Sequence, residues 1–252
     1  MGDMAVILHG SGGGLGNFAV FAQSLATTLA EKVPRSQIVV EDIRRRADFF
    51  NYLYDPPFRD RAKIGQLHVF SHSIGGGLFL AYEDPDVSRI RDATIARARL
   101  QKRKVTYEEV VQAEVGAILT DDLVRAPFTN MRDRIRENLA PDAFVKLWGC
   151  NSGIEDWEYT DNGAVDESEE RVDYYWRALN QKNVPKPAIA AALAQFLGRT
   201  TYGASSGAHI EVLHRKQWVS SAKYKAAVGQ WPSGALPHRL TPDRGTYHAH
   251  SP

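Results

Sequence analysis

The sequence predicts an α/β fold, namely a three-layer α/β/α sandwich built around a mostly parallel β-sheet. Short apolar runs recur along the chain, and segments with a helical spacing of apolar residues separate them. Such alternation of strands and helices is typical of a parallel sheet covered by helices on both faces. Several runs end in short groups of Gly, Ser, His or Cys. Because ligands bind at the carboxyl ends of the strands in these sheets, we expect the chemistry of the chain there.

Apolar runs predict five strands and a later hairpin. The first run, MAVIL, is continuously apolar, as in a strand that is buried on both faces. A turn at 140–142 (APD) is expected to precede the fourth strand. The predicted strands lie at 4–8, 37–43, 66–71, 144–149 and 199–202, and the hairpin lies at 210–213 and 217–219.

Helices are predicted between these strands from apolar periodicity and end signals. Phe18, Phe21, Leu25 and Leu29 form a stripe at helical spacing. Pro187 and Gly198 bound an alanine-rich segment, as expected for the first turn and the end of a helix. The predicted helices lie at 18–32, 48–54, 88–104, 107–123, 128–139 and 187–198.

The chain is expected to form one α/β domain over residues 1–228, followed by an irregular tail over 229–252 that packs on it. The 252 residues suffice for one large domain, and neither a repeat nor a linker interrupts them. The tail is assigned as irregular because it is rich in Pro, Gly and His.

Charge and cysteine content bound the partners and the compartment. The net charge of +1 favours neither nucleic acid nor a membrane surface as a partner, and no apolar run reaches the ~18 residues of a membrane span. A single cysteine cannot form an internal disulfide, which fits a reducing cytoplasm. The N-terminus lacks the features of a signal peptide, so we expect a cytoplasmic protein, or one exported by a route that needs no signal peptide. We expect no cofactor and no metal site.

One catalytic hypothesis uses Ser73 as a nucleophile. Residues 71–75 (SHSIG) resemble the nucleophile elbow of the α/β-hydrolases, and the preceding strand ending in His9-Gly10 resembles the approach to it. This resemblance implies an α/β-hydrolase fold and a serine esterase or lipase that acts on a small ester, with the backbone of Gly10 in the oxyanion hole. The elbow serine of that family opens a long helix, whereas glycines follow here, and the fifth predicted strand ends without a carboxylate.

A second catalytic hypothesis pairs His72 with Cys150. The two residues follow the third and fourth predicted strands. If these strands are neighbours, about 4.8 Å separates their axes, and both side chains can face one site. An imidazole there can act as a base, and its charged form lowers the pKa of a nearby thiol. This arrangement needs no third, acidic residue.

These residues resemble the caspase/gingipain-like (clan CD) cysteine peptidase superfamily. The matching segments are HVFSHSIGGGLFLAY, FTNMRDRIRENL, APDAFVKLWGCNSG and AIAAALAQFLGRTTYGASSG, within about 65–210. The resemblance implies a caspase-like form of the fold, a peptide or protein substrate, and amide hydrolysis by a Cys–His dyad. His72 would be the general base, Cys150 the nucleophile, and the backbone of Gly75 and Gly149 would help to hold the oxyanion. Ser73 stands where the superfamily has glycine.

Two further expectations accompany this hypothesis. His9 and Asp156 are predicted to line the substrate pocket, with the acidic residue favouring a basic substrate side chain. A third class of function stays open. Since Ser73 departs from the superfamily pattern, the domain could keep the fold as a catalytically inactive interaction module.

Overall fold

Apolar runs form the strands at the centre of the molecule, as expected. The structure, a computed structural model, describes residues 2–11, 18–81, 84–155 and 187–252. Within MAVIL, Val6, Ile7 and Leu8 have no exposed surface. The strands are β1 (Met4–His9), β2 (Ile38–Asp42), β3 (Ile64–Phe70), β4 (His72–Ile74), β5 (Gly77–Phe79), β6 (Ala117–Leu119), β7 (Leu139–Leu147), β8 (Thr200–Ala204), β9 (Ala208–His214), β10 (Gln217–Ser220), β11 (His238–Pro242) and β12 (Tyr247–His250).

Helices connect most of these strands, and short 3-10 turns lie at Arg35–Gln37, Thr120–Leu123 and Phe128–Met131. Gly198 ends one helix in the left-handed conformation (φ +64°), as its position in the sequence predicts. The helices are α1 (Phe18–Leu29), α2 (Arg46–Tyr54), α3 (Pro85–Leu100), α4 (Tyr107–Ala113), α5 (Arg132–Asn138), α6 (Ile189–Leu197) and α7 (Ser221–Val228).

The central sheet has six strands in the order β2-β1-β3-β7-β8-β12. The first five run parallel, and β12 pairs antiparallel with β8. The predicted α/β class with a mostly parallel sheet is therefore confirmed. The chain leaves β1 toward β2 on one side and continues from β3 toward β7 on the other. This reversal between β1 and β3 is a topological switch point, the place where open α/β sheets generally bind ligands.

Helices cover both faces of the sheet. Val6 and Leu8 of β1 belong to one core, which includes apolar residues of α2, α5 and α6. Ile7 belongs to a second core, which includes Phe18 and Phe21 of α1. Because neighbouring residues of a strand point to opposite faces, α1 lies on one side of the sheet, and α2, α5 and α6 lie on the other.

A small antiparallel sheet of β4, β5 and β6 extends from the end of β3. β4 and β5 form a hairpin in which Ile74 pairs with Gly77 across a two-residue turn. Gly75 opens this turn with a φ of +51°, a conformation that glycine adopts without steric cost. The residues after β3 therefore form a hairpin rather than the start of a helix.

Two local predictions were wrong. The segment 107–123 is not one helix, because α4 ends at Ala113 and residues 117–119 form β6. The carbonyl of Gly116 accepts hydrogen bonds from the N–H groups of Leu80 and Ala81, so this stretch is committed to the small sheet. The predicted turn at 140–142 lies inside β7, where the register with β3 shifts between Ile64 and Gln66.

The predicted irregular tail at 229–252 also needs correction. β11 adds to β9 in a second three-stranded sheet with β10, and β12 forms an edge of the central sheet. The tail is thus an integral part of the fold. Its backbone finds strand partners that its local composition does not reveal. Within the ranges that the structure describes, no helix has both the length and the apolar character needed to cross a membrane.

Candidate active site

His72 lies at the carboxyl end of β3, next to the switch point. Ser71 follows the last residue of β3, and His72 begins β4. The imidazole is half-buried and packs edge-on against Phe18 of α1, with 5.0 Å between the ring centres. This contact with an apolar ring restricts the orientation of the imidazole on one side.

Cys150 lies in the turn that follows β7, and its sulfur contacts the backbone at the start of β9. The N–H of Ala208 donates to the Cys150 Sγ over 3.3 Å, and the carbonyl of Ala208 lies 3.9 Å from the same sulfur. The residue is half-buried. Sequence reasoning missed Ala208, because only the fold brings a backbone from 58 residues away.

Ser152 braces the turn that carries Cys150. Its Oγ donates to the carbonyl of Gly149 over 3.0 Å and accepts the N–H of Ala204 over 3.0 Å. Ser152 has no exposed surface, so both hydrogen bonds are protected from water. Asn151 adopts a φ of +56°, and its N–H donates to the carbonyl of Ser206 over 2.8 Å. The turn is therefore tied to the end of β8 and to the loop beyond it.

The register of β3 and β7 places His72 and Cys150 at equivalent positions. Val69 lies opposite Leu147, and the N–H of Trp148 donates to the Val69 carbonyl over 2.9 Å. Counting three residues on from Val69 and Leu147 gives His72 and Cys150. The two residues therefore leave neighbouring strand ends at the same level of the sheet.

Close packing at Gly149 extends this register past the end of the ladder. A Cβ built on Gly149 would lie 2.9 Å from the carbonyl oxygen of Ser71, 2.6 Å from the Cβ of Ser73 and 3.3 Å from its nitrogen. The turn before Cys150 thus touches the backbone on both sides of His72. The missing side chain of Gly149 permits this contact, and the role of Gly149 as an oxyanion donor stays a prediction.

The surroundings of Cys150 do not activate the thiol in the expected way. Burial raises the pKa of the Cys150 thiol, the Ala208 N–H opposes this rise, and the Asp243 carboxylate adds to it. The expected lowering of the thiol pKa is therefore wrong. At neutral pH the thiol keeps its proton until a base removes it.

Ser73 does not occupy the position of an elbow nucleophile. It lies in the middle of β4, is only 4% exposed, and its Oγ has no hydrogen-bond partner among the described residues. The hairpin and the lone hydroxyl both depart from the nucleophile elbow.

Gly10 does not serve as an oxyanion donor. Its N–H already donates to the carbonyl of Phe70 over 2.8 Å. A Cβ built on Gly10 would lie 2.3 Å from the Leu80 carbonyl oxygen, so glycine is required for close backbone approach. The prediction for Gly10 was wrong because a strand neighbour claims its donor.

The two predicted pocket residues have different outcomes. His9 ends β1 at the switch point and is half-buried, with its Nδ1 3.4 Å from the Gly10 carbonyl oxygen. Its place at the carboxyl edge fits a residue near the site, and its contact with substrate stays a prediction. Asp156 lies outside the described residues.

Next to the site, the sheet face toward α1 carries a polar and aromatic cluster that the sequence did not reveal. Lys146 places its Nζ 3.9 Å from the ring centre of Trp148 and 4.2 Å from that of Tyr247. Burial lowers the pKa of Lys146 to about 8. Beside it, Trp148 Nε1 donates to the Nδ1 of His68 over 3.4 Å, and the other ring nitrogen of His68 lies 3.4 Å from Gln66 Oε1. These contacts suit a neutral imidazole with one donor and one acceptor.

We expect His68 to make the fold sensitive to acid. Burial, and to a smaller extent the Lys146 ammonium, lowers the pKa of His68 to about 3. The unfolded chain binds this proton near pH 6.5, so the free energy of unfolding falls as the pH falls from about 6.5 toward 3. At pH 5 the loss relative to pH 8 is about 2 kcal/mol. Urea unfolding at both pH values measures it. The variant His68→Gln should lose this dependence, whereas His248→Gln at an exposed position should keep it, and an equal slope in both variants would contradict the assignment.

Comparison of the chain with protein-family models, with curated protein sequences and with solved structures found no match. Over the described part of the chain, no group of three or more His, Cys, Asp or Glu side chains is arranged to hold a metal ion. The chemistry of the site therefore has to be argued from the geometry of its own residues.

Proposed function

We propose that the protein is a cysteine hydrolase that cleaves amide bonds of a peptide or protein substrate, with Cys150 as nucleophile and His72 as general base. The carrying observation is the register of β3 and β7, which sets the two residues at equivalent places on adjacent strand ends. The contact of Gly149 with the backbone on both sides of His72 supports the same pairing.

The raised thiol pKa decides how the dyad would work. Because the thiol is protonated at neutral pH, the resting enzyme would not hold a thiolate, and His72 would accept the proton as Sγ attacks the substrate carbonyl. The resulting tetrahedral intermediate collapses when the imidazolium returns the proton to the leaving amine. This collapse leaves the acyl group on the Cys150 sulfur as a thioester. Water, deprotonated by the same imidazole, then attacks the thioester carbonyl, the acid product leaves, and the sulfur takes back a proton as the thiol.

The backbone N–H of Ser73 is the best-placed donor for the oxyanion. Ser73 pairs with Leu78 next to the Ile74–Gly77 pair that closes the hairpin turn. In such a ladder the closing pair exchanges hydrogen bonds and the next pair does not, so we expect the Ser73 N–H to point away from β5. The Ser73 nitrogen lies beside Gly149, which brings this donor to the nucleophile turn. A serine at this position therefore still offers the N–H that the resemblance assigns to glycine.

The chain order supports a caspase-like form of the fold. The order runs from β3 to His72, through the short strands β4 to β6 and helix α5, and then through β7 to Cys150. This is the pattern by which the sequence resembles caspase/gingipain-like peptidases. The placement of Ser73 in a hairpin argues against the serine hydrolase alternative.

Labelling of the native protein tests the proposal. Iodoacetamide should alkylate Cys150, and a peptide that is hydrolysed by the protein should protect Cys150 from alkylation. A fluorophosphonate should leave Ser73 unlabelled. Because burial raises the thiol pKa, alkylation should accelerate as the pH rises above 8. Stoichiometric fluorophosphonate labelling of Ser73, or peptide hydrolysis by fully alkylated protein, would refute the cysteine mechanism.

A further inference from the structure

An apolar groove lies between α1, the sheet of β9 to β11, and the segment that follows α7. Its volume is about 420 Å³, within the ~300–1,000 Å³ of ligand-sized clefts. Trp231 forms an outer wall and remains 59% exposed, although the Nζ of Lys225 lies 4.4 Å from its ring centre. The residues that line the groove include Phe21, Ile210, Trp231, Pro232, Gly234 and His238.

Helix α1 connects this groove to the candidate active site. Phe18 packs against the imidazole of His72, and Phe21 lines the groove. Residues three apart lie on the same face of a helix, and the two phenylalanine rings are 6.4 Å apart. The largely buried rings of Phe18 and Phe21 therefore connect the His72 imidazole with the lining of the groove.

Strand β9 connects the groove to the nucleophile from the other side. The backbone of Ala208 contacts the Cys150 sulfur, and Ile210 lines the groove. Two residues of strand span about 6.7 Å and return to the same face. Strand β9 therefore runs from the residue whose backbone contacts the Cys150 sulfur to a residue that lines the groove.

The lining has the chemistry of a subsite for an apolar side chain. Phe21 is 3% exposed, and His238 packs its ring edge-on against it, with 5.7 Å between the ring centres. The Nδ1 of His238, one of its two ring nitrogens, lies 2.6 Å from the Leu236 carbonyl oxygen. Among the described residues that line the groove, none carries a permanent charge.

We infer that this groove binds a large aromatic or aliphatic side chain of the peptide substrate, and so determines specificity. The inference rests on the proposed function, and it differs from the basic substrate side chain expected from the sequence. A peptide held by the groove would extend along β9 toward Ala208, which places its backbone beside Cys150.

Gly234 allows the groove to be filled without strain in the fold. A Cβ at this position would lie 3.4 Å from Val20 Cγ2, an ordinary contact distance. Gly234→Leu should therefore occupy the groove, and Gly234→Ala is the matched control that leaves it open. Neither variant alters a residue of the dyad, so iodoacetamide should alkylate Cys150 at the wild-type rate in both.

Kinetics with fluorogenic tetrapeptide amides test the specificity. The peptides carry Phe, Leu, Ala, Asp or Lys at one position at a time. At one position, kcat/KM for Phe and Leu should exceed that for Ala, Asp and Lys by about tenfold or more. Gly234→Leu should abolish this preference and Gly234→Ala should keep it. Equal cleavage of all five peptides, or a preference that survives Gly234→Leu, would overturn the inference while leaving the hydrolase proposal intact.

Ligand-observed NMR on the full chain with Cys150→Ala separates the inference from catalysis. N-acetyl-phenylalanine amide should bind, N-acetyl-aspartate amide should not, and adding Gly234→Leu should abolish the binding. If no peptide is hydrolysed but this binding pattern holds, the groove is an apolar subsite and the hydrolase proposal fails. If the phenylalanine amide does not bind, or binds equally well to the Gly234→Leu protein, the groove is not a subsite.

Discussion

Replacement of Cys150 by alanine is expected to reduce peptide hydrolysis at least about 10³-fold, to the limit set by the uncatalysed reaction. The substitution removes the only cysteine of the chain, so no other thiol can take over. His72→Ala should cause a loss of similar size, because a thiol whose pKa is raised needs a base to remove its proton. The measurement is kcat/KM on a hydrolysed peptide, with the folded state of each variant checked by circular dichroism and thermal unfolding.

The double variant and a matched serine variant sharpen this test. Residues that act as one unit are not additive, so Cys150→Ala with His72→Ala should be no slower than either single variant. Ser73→Ala removes a buried hydroxyl for which the described part of the chain offers no hydrogen-bond partner, and should leave kcat/KM within about twofold. Full turnover by Cys150→Ala, or loss of turnover by Ser73→Ala in a folded protein, would reverse the assignment of the nucleophile.

The strands that carry the site could be predicted because burial on both faces leaves a clear pattern. β1 is an apolar run that ends in His9, and β3 is largely buried although it contains Gln66 and His68; the ends of both strands fall within one or two residues of the prediction. β7 was predicted to start at residue 144, and it is there, opposite Gln66, that its regular pairing with β3 resumes. Residues 140–143 leave that register, which explains why the sequence indicated a turn in a segment that belongs to a strand.

The elements that the sequence missed depend on partners far along the chain. β12 has the sequence YHAH, a four-residue alternation that is too short to indicate a strand on its own, and it forms by pairing with β8. β6 follows Gly116, whose carbonyl is claimed by Leu80 and Ala81. Edge and short strands gain stability from their neighbours rather than from their own residues, so single-sequence patterns do not reveal them.

In the candidate site too, some features could be predicted from the local sequence and others depend on residues far along the chain. His72 and Cys150 could be proposed because both follow strongly apolar strands, and the sheet order then makes those strands neighbours. The pKa of the thiol depends on burial, on the hydrogen bond from the Ala208 backbone and on the Asp243 carboxylate. Ala208 and Asp243 both belong to segments later in the chain. The sequence could therefore place Cys150 after a strand that neighbours the strand before His72, but the predicted direction of its thiol pKa was wrong.

Gly149→Ala is expected to lower kcat/KM by about 10²-fold and to destabilise the fold by about 1–3 kcal/mol. The added Cβ would lie 2.6 Å from the Ser73 Cβ and 2.9 Å from the Ser71 carbonyl oxygen, closer than such atoms can approach. Since Ser71 and Ser73 flank His72, the clash must push the turn of Cys150 away from the imidazole. A misplacement of about 1 Å at a reacting atom is enough for this loss of rate.

The control is Gly234→Ala, where the nearest atom to an added Cβ is Val20 Cγ2 at 3.4 Å and no large loss is expected. Urea unfolding gives the change in stability, and kcat/KM measured well below the unfolding midpoint gives the change in rate. The decisive feature is the combination: a merely structural glycine would cost stability without a matching loss of turnover in the folded protein. If folded Gly149→Ala protein hydrolyses peptides at the wild-type rate, the ends of β3 and β7 do not form the catalytic pair. The close approach at Gly149 therefore links the geometry of the sheet to the proposed chemistry, and Gly149→Ala tests both at once.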